Sequence, residues 1–120
     1  NMSAQLDWKY TEFVRSRKKD PDDIGPFEQT QKDLMHMTLG IAGEAGELVD
    51  AVKKYVIYDK DLDLQNVIEE LGDLEFYLEG FRDALGLVRS HIVSYNMEKL
   101  TKRYPEKYSN KDAIERKDKV

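Results

Sequence analysis

Two acidic pairs at helical spacing dominate the middle of this chain: Glu44-x-x-Glu47 and Glu70-x-x-Asp73, with 22 residues between them. Residues three apart project from one side of a helix with Cβ atoms about 5–6 Å apart, so each pair forms a two-carboxylate claw. The stretch between the pairs can finish one helix, turn, and bring a second helix back antiparallel. Four facing carboxylates repel one another unless cations sit between them. Hard divalent cations such as Mg²⁺ and Mn²⁺ take oxygen ligands, typically a few carboxylates, waters and substrate phosphates. Glu44, Glu47, Glu70 and Asp73 are therefore the metal-binding and catalytic candidates. A single acidic pair is commonly just a solvated helix face, but each of these claws lies beside an apolar stripe rather than opposite one.

The elements that must position these groups can be read from hydrophobic period and breakers. Residues 3–19 read as a first helix with Leu6, Tyr10, Phe13, Val14 and Arg17 on one side, closing on the basic run Arg15–Lys19, where cations complement the helix dipole. Asp20–Pro26 contains two prolines and a glycine and predicts a loop. A second helix begins between Phe27 and Thr30 and runs to about Tyr58, with Leu34, Met37, Ile41, Ala45, Leu48, Val52 and Tyr55 as its expected core stripe and the glutamates on the neighbouring one. Gly40, Gly43 and Gly46 would each cost about 1 kcal/mol against alanine in a helix interior, which suggests close packing or room for a ligand. Asp63 is a good N-cap for a third helix ending near Leu85, with Val67, Leu71, Leu74, Leu78, Phe81 and Leu85 as its expected core, and Gly86 is a natural stop. A fourth helix, about Val88 to Tyr104, ends at Pro105. It places Asn96, Lys99 and Arg103 on one face. The expected architecture is all-α: an antiparallel helical bundle of about four main helices, completed by homo-oligomerisation. Residues 1–120 form one domain, with a helix and loop at 1–26, catalytic helices over 27–104 and a charged arm at 105–120.

Composition narrows the chemistry. A chain of 120 residues with 40% hydrophobic content supports one modest core, which makes burial between copies plausible. The absence of cysteine excludes disulfide scaffolds, thiolate zinc sites and cysteine nucleophiles, and is consistent with a cytoplasmic home. No apolar run approaches a membrane span, and Asn1 before Met2 reads as a cloning remnant. Residues 1–88 hold 10 Lys and Arg against 19 Asp and Glu, whereas residues 89–120 hold 9 against 5. An acidic body with a basic end argues against a broad nucleic-acid surface and suits a site where acids hold cations and bases hold an anion. The Asp59–Glu70 stretch fails as an EF-hand loop because Leu64 occupies the position that needs glycine. His36 and His91 do not supply the paired Glu-x-x-His of di-iron bundles, and neither a P-loop nor a Gly-x-Ser-x-Gly elbow is present. Anion binding would then fall to side chains such as Lys54, Lys99 and Arg103.

The runs LGIAGEAGELVDAVKK, IEELGDLEFYL and NMEKLTKRYPEKYS together resemble the MazG-like all-α nucleoside triphosphate pyrophosphohydrolase family, over roughly residues 30–110. The family's E-x-x-E, spacer, E-x-x-D signature is matched at Glu44, Glu47, Glu70 and Asp73. The resemblance implies hydrolysis of nucleoside triphosphates to monophosphate and pyrophosphate with Mg²⁺ (or Mn²⁺) on the four acids. It also implies dimers or tetramers whose adjoining subunits complete the core, and it makes Lys54, Asn96, Lys99 and Arg103 candidates for the triphosphate and sugar. Asp50, one turn after Glu47, becomes a further acidic candidate. Where many relatives carry tryptophan in the segment after ELGD, this chain has Phe76, which leaves the preferred base open. Rival readings are a pyrophosphatase for a specialised nucleotide such as dUTP or phosphoribosyl-ATP, a non-catalytic module that binds a metal–nucleotide complex, and a purely structural bundle.

Overall fold

The computed structural model describes residues 1–106 and Glu115 and contains four α-helices and no strand among them. These are α1 (Met2–Arg17), α2 (Gln29–Val56), α3 (Leu64–Ala84) and α4 (Arg89–Arg103), with a short 3₁₀ turn at Pro21–Asp23. The expected helices are present, with ends shifted by a residue or two. The expected arm at 105–120 lies almost wholly outside the described residues.

The ends are set by local chemistry. Asn1, which reads from sequence as a remnant, caps α1 by accepting the Ala4 amide hydrogen at 2.8 Å. Gln31 accepts the Glu28 amide hydrogen at 2.8 Å at the start of α2. The Asp63 side chain accepts from the Asn66 amide at 3.0 Å, as its cap position predicts. At the end of α3, Gly86 takes a left-handed φ of +67°. The Leu87 and Gly86 amides donate to the Arg82 and Asp83 carbonyls at 2.9 and 3.1 Å, the paired bonds of a Schellman turn.

The only extensive helix packing among the described residues is α2 against α3. His36 meets Tyr77 edge-on at 6.2 Å, Gly80 abuts Met37, and Glu44 approaches Glu70 and Asp73, so the two helices run antiparallel. Gly40 and Gly80 make this approach possible. A Cβ on Gly40 would overlap the Tyr77 ring, and one on Gly80 would overlap the Met37 sulfur. Gly43 and Gly46 face open space instead, so within one chain close packing accounts for Gly40 and not for its two neighbours.

One chain does not close into a four-helix bundle. Its radius of gyration is 21.1 Å, where a compact chain of this length would measure about 14 Å. Only Ala51 (7% exposed) and Arg82 (9%) are buried among the described residues. Half-buried positions on α2 include Leu34, Met37, Ile41, Glu44, Ala45 and Leu48; on α3 they include Asn66, Val67, Glu70, Leu74, Tyr77 and Phe81. The seam therefore takes in the first glutamate of each claw. Val52, Tyr55, Leu71, Leu78 and Leu85, expected in the core, remain exposed. The hairpin turns its acidic stripe inward and part of its apolar surface outward, because the glycines that permit close approach lie on the acidic side. Arg82 is held within α3, donating to Glu79 through Nε and Nη2 at 3.0 and 2.9 Å and lying 3.8 Å from Glu75.

Candidate metal and nucleotide site

Helical pitch and the Gly40–Tyr77 approach bring three of the four predicted acids together. Oxygens of Glu44, Glu70 and Asp73 lie within 4.8 Å of one another, with the two glutamates half-buried and Asp73 exposed. Glu47 stands outside this trio, although its charge still acts on Glu70. The Glu70 Oε2 atom is buried and has no hydrogen-bond partner. With both carboxylates ionised, an anionic oxygen without a donor costs free energy in a cleft, and a proton there would let Glu70 share a hydrogen bond with Glu44. Glu70 is pushed up from the ordinary carboxylate range to about 7, first by a shared hydrogen bond with Glu44, then by burial, then by the charges of Glu44, Glu47 and Asp73. A hard cation would satisfy the same oxygen and the same surplus charge, so the donor set fits Mg²⁺ or Mn²⁺.

Lys54 lies farther along α2 and forms an ion pair with Asp50 at 3.0 Å. That hydrogen bond and the charge of Asp50 hold its ammonium more strongly protonated than usual, with Glu47 and Asp63 adding to the effect. Asp50 thus faces Lys54 and lies outside the three-carboxylate group. Asn96, Lys99 and Arg103 lie on α4, which packs closely on neither α2 nor α3 among the described residues. Lys99 and Arg103 are half-buried and Asn96 is exposed. Within one chain the acidic face and this basic face do not form a continuous wall.

The MazG nucleotide pyrophosphohydrolase domain matches residues 29–108, from the start of α2 to beyond the end of α4. The chain belongs to the MazG family. The MazG region takes in every acid and base of the candidate site and leaves out α1. The chain is also similar to the Gene 37 protein of Mycobacterium phage L5, at 33% identity over 75 residues, covering 58% of this chain and 65% of that one. It thus spans somewhat less than two thirds of that relative's length. No solved structure matches the chain.

Sequence reasoning missed one feature beside the candidate site, the aromatic rings packed at its edge. Tyr77 sits four residues after Asp73, Gly40 four residues before Glu44, and the Phe76 ring meets Tyr77 edge-on at 5.2 Å. The signal was present in the alignment of Gly40 with the Glu44 stripe, but glycine alone does not name the ring it admits. No helix among the described residues is long and apolar enough to cross a membrane.

Proposed function

We propose that this protein is a metal-dependent nucleoside triphosphate pyrophosphohydrolase, converting a (deoxy)nucleoside triphosphate and water to the monophosphate and pyrophosphate. The observation that carries the reading is the Glu44–Glu70–Asp73 cluster with its buried, unpartnered Glu70 oxygen, inside a MazG domain. Glu44, Glu70 and Asp73 hold the cation, with Glu47 within reach of the same charge. When bound, Mg²⁺ or Mn²⁺ would offset the negative charge of the triphosphate and acidify water. Glu47, outside the trio, accepts the proton of the water that attacks the α-phosphorus. Lys54 orients the phosphates once it exchanges Asp50 for substrate oxygens, and Asn96 holds the sugar. Lys99 and Arg103 neutralise pyrophosphate as it leaves. Because α4 does not close over the acids of its own hairpin, the basic face comes from association into a homodimer or tetramer. A cytoplasmic role in clearing surplus or non-standard nucleotides completes the reading.

The test is a panel of NTPs and dNTPs with Mg²⁺, following pyrophosphate release. Turnover of at least one nucleotide is expected, with Glu47→Gln lowering kcat by about 100-fold or more, the scale of a lost general base. Absence of pyrophosphate release from every nucleotide, or full turnover by Glu47→Gln, sinks the proposal.

A further inference from the structure

Helix α1 is 16 residues long and every one of its side chains is exposed. An isolated helix of this length is marginal in water, so its apolar side calls for a surface to rest on. That side is well formed: Leu6, Tyr10, Phe13, Val14 and Arg17 share one face. Tyr10 and Phe13 lie nearly parallel at 6.3 Å, and the Arg17 guanidinium covers Phe13 at 4.5 Å. The single tryptophan, Trp8, projects from the opposite side.

An apolar groove of about 470 Å³ lies along the last turns of α2, lined by Leu48, Val49, Val52, Lys53, Val56 and Ile57. Groove and stripe match in length, and each runs into a charged segment of opposite sign. The stripe spans residues 6–14 and leads into the basic Arg15–Lys19 segment, with four cations. The groove spans residues 48–57 and leads into the Asp59–Asp63 turn, with three acids and one lysine. Laid parallel, they put Leu6 near Val49, Phe13 near Val56, and opposite charges together beyond. Net charge agrees at larger scale: residues 2–19 hold five cations and two acids, and residues 29–84 five cations and thirteen acids.

The chain's own α1 does not reach this groove. In the parallel register Arg17 lies beside about residue 60, roughly 45 Å along α2 from Gln29 at about 1.5 Å per residue, whereas the stretch from Arg17 to Gln29 spans at most about 40 Å even fully extended. The linker is shortened by the Pro21–Asp23 turn, which Asp20 caps through the Asp22 amide at 2.9 Å. We propose that α1 is an exchanged arm that seats its Leu6–Val14 stripe in the Leu48–Ile57 groove of a second copy of this chain, with its basic end against that copy's Asp59–Asp63 turn. The proposal rests on the association of copies in the preceding reading, and supplies its contact. Reciprocal exchange would give two such contacts in one dimer.

The absence of native cysteine makes the test direct. A Phe13→Cys/Val56→Cys chain oxidised with diamide, which is reduced as the two thiols join, should yield covalent dimer on a non-reducing gel. A Trp8→Cys/Val56→Cys chain should yield at least tenfold less. Cross-linking confined to single chains, or no excess over the Trp8 control, overturns the arm. Phe13→Asp, an exposed substitution whose helicity can be checked by circular dichroism, should weaken self-association at least tenfold in sedimentation equilibrium, and an unchanged dissociation constant overturns it. Wild-type protein that sediments as a monomer at all concentrations defeats association itself, whereas a wild-type dimer without the cross-link defeats the arm alone.

Discussion

Replacing Gly40 by alanine separates two opposing effects that the structure lets us weigh. Alanine in a helix interior is favoured over glycine by about 1 kcal/mol, so with open space around it the substitution would stabilise. At Gly40 the added Cβ would overlap Tyr77, and the overlap reaches the root of the ring as well as its edge. A small rotation therefore does not relieve it, and the ring must leave the seam or the helices must part. Overpacking of this kind costs typically 1–3 kcal/mol, which outweighs or cancels the propensity gain. Gly43, one turn along and with nothing within 4 Å, experiences the propensity term alone. The expected result in thermal denaturation is that Gly40→Ala melts below Gly43→Ala by about 1–3 kcal/mol, or several degrees for a chain of this size. Turnover should fall in Gly40→Ala, because Tyr77 and Gly40 each lie four residues from a trio acid. Equal melting temperatures for the two variants would refute the close α2–α3 approach at this point.

Gly80→Ala should be milder than Gly40→Ala, since the obstacle is the Met37 thioether, which can swing aside; parallel melts check it. Glu70 makes the metal-free protein pH-sensitive. With its folded pKa near 7 above the unfolded value near 4.5, its stabilising contribution is complete below about pH 4.5 and is lost as pH rises through 7. Melts in EDTA should show this decline, and Glu70→Gln should flatten it. Mg²⁺ affinity should rise over the same interval as the proton is displaced, which titration calorimetry in buffers of different ionisation enthalpy would register as proton release. Lys54→Ala should leave the melting temperature almost unchanged, since its pair with Asp50 is exposed, while raising KM for the triphosphate. A large loss of stability with unchanged KM would mark Lys54 as structural.

Much of the fold was legible because caps and breakers act locally. Asp63 and Gly86 end their helices by bonds to backbone groups within a few residues, so the sequence around each states the outcome. The facing sides of α2 and α3 were legible in part: Leu34, Met37, Ile41, Ala45 and Leu48 reach the seam as their stripe predicts, with Val67, Leu74 and Phe81 opposite. Val52, Tyr55 and Leu71 share those stripes yet stay exposed, because the seam is turned toward the acidic side, where Gly40 and Gly80 let the backbones approach. Hydrophobicity ranks surfaces by their gain from burial and says nothing about which partner covers them. The acids were legible as a group, and the orphaned state of Glu70 was not, since that depends on the rotation of two helices about each other.

The Gly86 turn sets more than the end of a helix. Its left-handed backbone is disfavoured by about 1–2 kcal/mol for other residues, and it directs a rigid rod of 15 residues, about 22 Å long at the usual helical rise. A rod of that length swings its far end by roughly 4 Å for a 10° change at its base, more than the tolerance of a hydrogen bond. The aim of Lys99 and Arg103 is thus geared to a single residue without a side chain. A substitution there should redirect the basic face while leaving every charged group in the sequence intact.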